Sequence, residues 1–105
     1  MAELRAPNED RIQLRNPDTT KKMPSIARGI YALARETVLA VVPKEAPGIT
    51  LNEYLDEMAR RLPRVEGWDP SASANWLAMA IKLDMEARGE IKRVNAKPPQ
   101  RLVRA

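Results

Sequence analysis

The chain has 105 residues, 44% of them apolar and 30% charged, with a formal net charge of +4. This length and composition fit one domain around one core, away from the disordered, fibrous and membrane-spanning classes. The absence of cysteine and histidine removes a disulfide framework, thiolate and imidazole metal ligands, and the usual general base near neutral pH.

Residues 1–10 read as a solvated, flexible tail, in which Glu3, Arg5, Glu9 and Asp10 leave no apolar stretch of the signal-peptide kind. Elsewhere the apolar runs are as short as Val38 to Val42, too short for a membrane span. With no cysteine to oxidise, the expected location is the cytoplasm. The single domain is expected over residues 11–105.

Arg11 to Arg15 alternates polar and apolar residues and predicts a short half-exposed strand. Asn16-Pro17-Asp18 predicts a turn, because proline fixes its own φ and the short polar side chains bond nearby backbone. A first helix is predicted from Pro24 or Ser25 to Val42, with Ile26, Ile30, Leu33, Ala34, Thr37, Val38 and Val41 on one stripe. Arg28 and Arg35 fall opposite that stripe, and Pro43 ends the helix.

The second helix has a sharp start, since Thr50 and Glu53 stand at the spacing of a capping box. Leu51, Tyr54, Leu55, Met58 and Leu62 form its apolar face, and Pro63 ends it. A third helix is predicted from Asp69-Pro70-Ser71 to Arg88, closed by Gly89 as a left-handed cap. It is apolar around much of its circumference, as expected of a central core element. Two short strands follow, Ile91 to Val94 and Gln100 to Val103, joined through Lys97-Pro98-Pro99.

The predicted fold is therefore mainly α with a small β-ribbon, in the chain order of a winged-helix three-helix domain. The run from Lys82 to Arg93, KLDMEARGEIKR, resembles the junction between third helix and wing in such proteins. The chain as a whole resembles a small bacterial family of uncharacterised winged-helix-like proteins. The matching pieces are Asn16-Pro17, Val41-Val42-Pro43, Gly48-Ile49-Thr50, Trp76, Ile81 to Gly89, Lys97-Pro98 and Arg101, across residues 11 to 104. That resemblance implies the fold and carries no assigned activity.

The charge is unevenly placed. The terminal ribbon holds Lys92, Arg93, Lys97, Arg101 and Arg104 against Glu90 alone, whereas residues 65–89 set Glu66, Asp69, Asp84 and Glu86 against Lys82 and Arg88. Read functionally, the ribbon is a phosphate clamp; read structurally, it is a charged edge that discourages aggregation. Ser71, Ser73 and Asn75 are candidates for nucleic-acid contact at the start of the third helix, although capping is the commoner role of such residues. Acidic side chains on a helix meant for the major groove would be repelled by phosphates. Arg60, Arg61 and Arg64 at the end of the second helix fit the helix dipole as well as they fit a nucleic-acid backbone.

Asp84 falls on the core-facing arc and so requires a cation or hydrogen-bond donors. The expectation is a structural bond from the third helix to the wing, through Arg93, Arg101 or backbone amides. Trp68 and Trp76 are expected to pack. No nucleophile stands with a base, no glycine-rich phosphate loop occurs and no calcium-loop spacing appears. The expected protein is not an enzyme and takes no cofactor or metal. Two functions stand open: double-stranded DNA binding in transcriptional regulation, or a protein-interaction module, as homodimer or adaptor. In the second case Leu39, Val42 and the strand around Ile12 and Leu14 offer the contact surface.

Overall fold

The computed structural model describes residues 10–94 and 98–105. The elements run β1 (Arg11–Gln13), β2 (Ser25–Ala27), α1 (Arg28–Val41), β3 (Ile49–Thr50), α2 (Leu51–Arg61), α3 (Ala74–Ala87), β4 (Ile91–Arg93) and β5 (Arg101–Arg104). Among the described residues they form three α-helices and two small antiparallel sheets. One sheet is the β1–β2 hairpin; the other has the order β3-β5-β4. None of the described helices is long and apolar enough to cross a membrane.

The first helix starts later than its periodicity suggests. Ser25, Ile26 and Ala27 pair with Gln13, Ile12 and Arg11 as β2, because Ile26 satisfies a strand's buried position as well as a helix's. The hairpin pairs one edge of the N-terminal strand within its own chain. Asp10, expected in the flexible tail, is tied in through its carbonyl, which accepts from the Arg28 amide at 2.9 Å.

Helix α1 buries Tyr31, Ala34 and Val38. The core stripe is thus rotated from the predicted one, and Leu33 is 39% exposed. Leu39 packs partly against the core, and Val42 is 1% exposed and so offers no outward docking face.

The capping box of α2 forms as expected. The Thr50 hydroxyl accepts from the Glu53 amide at 3.1 Å, and the Glu53 carboxylate accepts from the Thr50 amide at 3.0 Å. Those bonds hold the Glu53 carboxyl below its usual range. A short 3₁₀ turn, Leu62–Arg64, contains Pro63 and ends the helix.

Helix α3 begins at Ala74, after the predicted start. Asp69 instead closes a local turn, its carboxylate accepting from the Ser71 amide at 3.0 Å and the Ser71 hydroxyl at 2.6 Å. Ser73 is the true cap, accepting from the Trp76 amide at 3.1 Å. The far end closes at Gly89, with φ 78°, through bonds from Glu90 N–H to the Met85 carbonyl (2.8 Å) and from Gly89 N–H to the Glu86 carbonyl (3.1 Å). This double bond pattern is a Schellman cap, which turns the chain directly into β4. Leu77, Ala78, Ile81 and Met85 of α3 meet Tyr54, Met58 and Leu62 in one core. The buried Tyr54 hydroxyl donates to the Ala78 carbonyl at 2.7 Å.

Candidate interaction surface

Asp84 organises the inner side of α3. It is fully buried and meets donors from three directions. The Arg15 amide donates to Oδ1 at 2.8 Å, the Tyr31 hydroxyl to Oδ2 at 2.6 Å, and Arg88 Nε lies 3.0 and 2.9 Å from the two oxygens. Arg88 also lies over the Tyr31 ring, 5.6 Å from its centroid, and donates to the Gln13 carbonyl at 3.1 Å. Burial and the bond to Asp84 push the Tyr31 hydroxyl up to about 12. A backbone amide, one of the expected kinds of partner, is among these donors, but it belongs to the segment after β1 and not to the ribbon. The carboxylate ties α3 to the N-terminal hairpin and α1, not to Arg93 or Arg101 of the ribbon. These partners lie 69 and 53 residues away in the chain, beyond the reach of local spacing arguments.

Lys82 is also buried, at 1% exposure. Its ammonium lies 2.5 Å from Glu86 Oε1, while Arg93 Nε lies 3.3 Å from Glu86 Oε2. The acidic residues that would repel phosphate from α3 are therefore neutralised within the fold: Asp84 by Arg88, Glu86 by Lys82 and Arg93.

The candidate nucleic-acid residues fall on β4, on β5 and around the start of α3. Lys92 is exposed on β4. Arg93 is committed to Glu86. Arg101 and Arg104 are half-buried on β5, where the Arg104 amide donates to the Pro43 carbonyl at 2.9 Å. Ser71 is held by Asp69 and Ser73 caps α3, while Asn75 is exposed on the first turn. Lys97 lies outside the described residues. Arg60 and Arg61 pair with Glu57, at 2.5 and 3.6 Å.

Apart from Asn75, the side chains of α3 most open to solvent are apolar. Trp76 is 41% exposed, and Met79 and Leu83 follow it at i+3 and i+7, both half-exposed and outside the buried core cluster. Residues at that spacing share one helix face, and Ala87 extends it by one more turn. Trp76 is thus not a core residue. The core-packed tryptophan is Trp68, which lines a small apolar crevice with Ile30, Leu33, Leu62 and Leu77.

Beside Ala87 the surface deepens into a concavity of about 610 Å³, framed by the loop between β1 and β2 and lined by Arg15, Lys21 and Lys22. The loop is internally braced. Leu14 N–H donates to the Pro24 carbonyl at 3.2 Å, Asp18 N–H to Asn16 Oδ1 at 2.9 Å, and Thr20 Oγ1 to Asp18 Oδ1 at 2.6 Å. The bonds from Thr20 hold the Asp18 carboxyl below its usual range. The adjacent Lys21-Lys22 pair is visible in the sequence, but only the fold sets it beside the end of α3. No group of His, Cys, Asp or Glu suited to holding a metal ion occurs among the described residues.

The model of a family described as a family of unknown function, DUF6958, matches residues 11–102. No curated protein and no solved structure matches the chain.

Proposed function

The chain belongs to the DUF6958 family of unknown function, and we propose that it is a non-enzymatic protein-interaction module of winged-helix type, docking through the outer face of α3. The observation that carries this reading is the distribution of charge on that helix. Lys82 and Arg88 turn to partners within the fold, whereas Trp76, Met79 and Leu83 face solvent. A helix that reads the major groove needs donors for phosphates and base edges, and this face offers no cation, only Asn75 and the Trp76 indole N–H. Exposed aromatic and methionine side chains without charge match the composition of protein interface cores. The winged-helix assignment is supported by β3, which lies between α1 and α2 in the chain and pairs with β5 at the centre of the sheet.

That same topology, with Lys92 exposed on edge strand β4, favours a second reading, in which the ribbon grips double-stranded DNA. The two separate in an anisotropy titration of a labelled duplex across a salt series. Under the interaction reading, binding is weak and Trp76→Ala leaves it unchanged. Tight binding that falls steeply with salt, and is lost in both Lys92→Glu and Asn75→Ala, would overturn it in favour of DNA recognition.

A further inference from the structure

We infer that the partner segment is amphipathic and acidic at one end, lying along Trp76, Met79 and Leu83 with its carboxylates in the cup of Arg15, Lys21 and Lys22. This rests on the interaction reading and adds the partner's chemistry. The apolar row spans about 17 Å from Trp76 to Ala87 at the helical rise. Ala87 belongs both to that row and to the lining of the cup, so stripe and cup form one continuous surface.

The cup is built to attract negative charge. Arg15, Lys21 and Lys22 are exposed, and none of the three forms an ion pair among the described residues. The nearest carboxylate on the loop, Asp18, accepts from Thr20, interacts with Lys21 through charge without a close ion pair, and does not line the concavity. Three cations on one braced loop repel one another mildly, and an arriving carboxylate cluster relieves that repulsion while fixing the direction of the partner along α3. Two neighbouring acidic side chains, or one and a terminal carboxylate, suffice.

A second copy of this chain fits the surface less well. Antiparallel pairing of two α3 helices would lay each cup against the positive N-terminal end of the other helix. Parallel pairing would set cup against cup. The row is also short beside the roughly 800 Å² per partner of a standard stable interface, which suits a single segment of chain rather than a whole domain.

The test is a selection of displayed random peptides, each long enough for four helical turns, on the intact chain at low salt. The enriched peptides are then synthesised, labelled and titrated. The expected peptides carry apolar residues at helical spacing and Asp or Glu clustered at one end. Their affinity falls about tenfold or more in Lys21→Glu/Lys22→Glu and is lost in Trp76→Ala, while circular dichroism shows both variants folded. Peptides without acidic residues, indifferent to the lysine reversal but lost in Trp76→Ala, would overturn the acidic partner and leave the interaction reading standing. No enrichment, or peptides indifferent to Trp76→Ala, would overturn both. Occupation of the cup by inorganic phosphate alone, with chemical-shift changes confined to residues 14–23 and no competition with peptide, would make it a small-anion site and likewise overturn the proposal.

Discussion

The inner and outer faces of α3 both depart from the usual arrangement of a surface helix, the inner by enclosing two charges among its apolar residues and the outer by showing an apolar row to solvent. On the inner side Asp84 and Lys82 are 0% and 1% exposed, yet each meets an opposite charge. On the outer side Trp76 is 41% exposed, and Met79 and Leu83 continue its apolar row. Charges withdrawn from water must be fully partnered to persist, and here they stitch α3 to the hairpin, α1 and β4. Apolar side chains left in water gain nothing until something covers them. The inner face is explained by stability, and the outer face is the one proposed for docking.

The largest expected effect breaks the inner face. Asp84→Ala leaves Arg88 and the Arg15 amide without their acceptor and is expected to cost about 3 to 5 kcal/mol. In a domain of this size that lowers the melting temperature by roughly 12 °C or more, measurable by thermal denaturation. Asp84→Asn keeps the shape and one acceptor oxygen and is expected to lose less. Unchanged melting in both would remove Asp84 from the account of stability.

Next is the backbone that holds the ribbon in place. A Cβ on Gly48, at φ 80°, would lie 2.4 Å from the Leu102 carbonyl oxygen on β5. Gly48→Ala is expected to cost about 2 to 4 kcal/mol, because strain adds to a clash with backbone. Gly89 has a similar φ of 78° but no atom within 4 Å of the added Cβ. There the cost is about 1 kcal/mol, the conformational part alone. Urea melts of the two variants separate the contributions; equal losses would contradict the close approach at Gly48.

Tyr31 gives the inner face a pH signature. Its hydroxyl titrates near 12 in the fold against 10 in the unfolded chain, so the folded state holds this proton more tightly. The contribution is fully present below pH 10 and is lost as pH rises toward 12. It is expected to amount to about 1 to 2 kcal/mol, discounted for partial solvent contact. Urea midpoints of wild type and Tyr31→Phe across the alkaline range isolate it. The variant should be less stable at neutral pH and approach wild type above pH 10, and a constant gap would refute the assignment.

The smallest expected effect lies on the outer face. Trp76→Ala should alter stability by no more than about 0.5 kcal/mol, whereas Leu77→Ala, one residue along and 1% exposed, should cost about 2 to 5 kcal/mol. Comparable losses in denaturant melts would place Trp76 in the core and remove the contrast between the faces.

Features set by local chemistry were legible in the sequence. Thr50 and Glu53 meet within one helical turn, and Gly89 closes α3 through its immediate neighbours. Helix starts were harder to place where several signals competed: Ile26 suits both strand and helix, and Asp69, Ser71 and Ser73 all offer caps to α3. The long-range geometry of the candidate surface was not legible. Asp84 showed its need for a partner, but Arg15 and Tyr31 reach it only through the hairpin and α1. Trp76 reads as core by residue type, and its exposure follows from the orientation α3 takes when Leu77, Ile81 and Met85 turn inward.

The most direct test of the contrast is acrylamide quenching of tryptophan fluorescence in Trp68→Phe and Trp76→Phe, each of which leaves a single tryptophan. The expected result is a red-shifted, readily quenched Trp76 in the first variant and a bluer, shielded Trp68 in the second. A Trp76 as blue and as shielded as Trp68 would mean that the outer face of α3 is already covered, contradicting its role as an open docking surface.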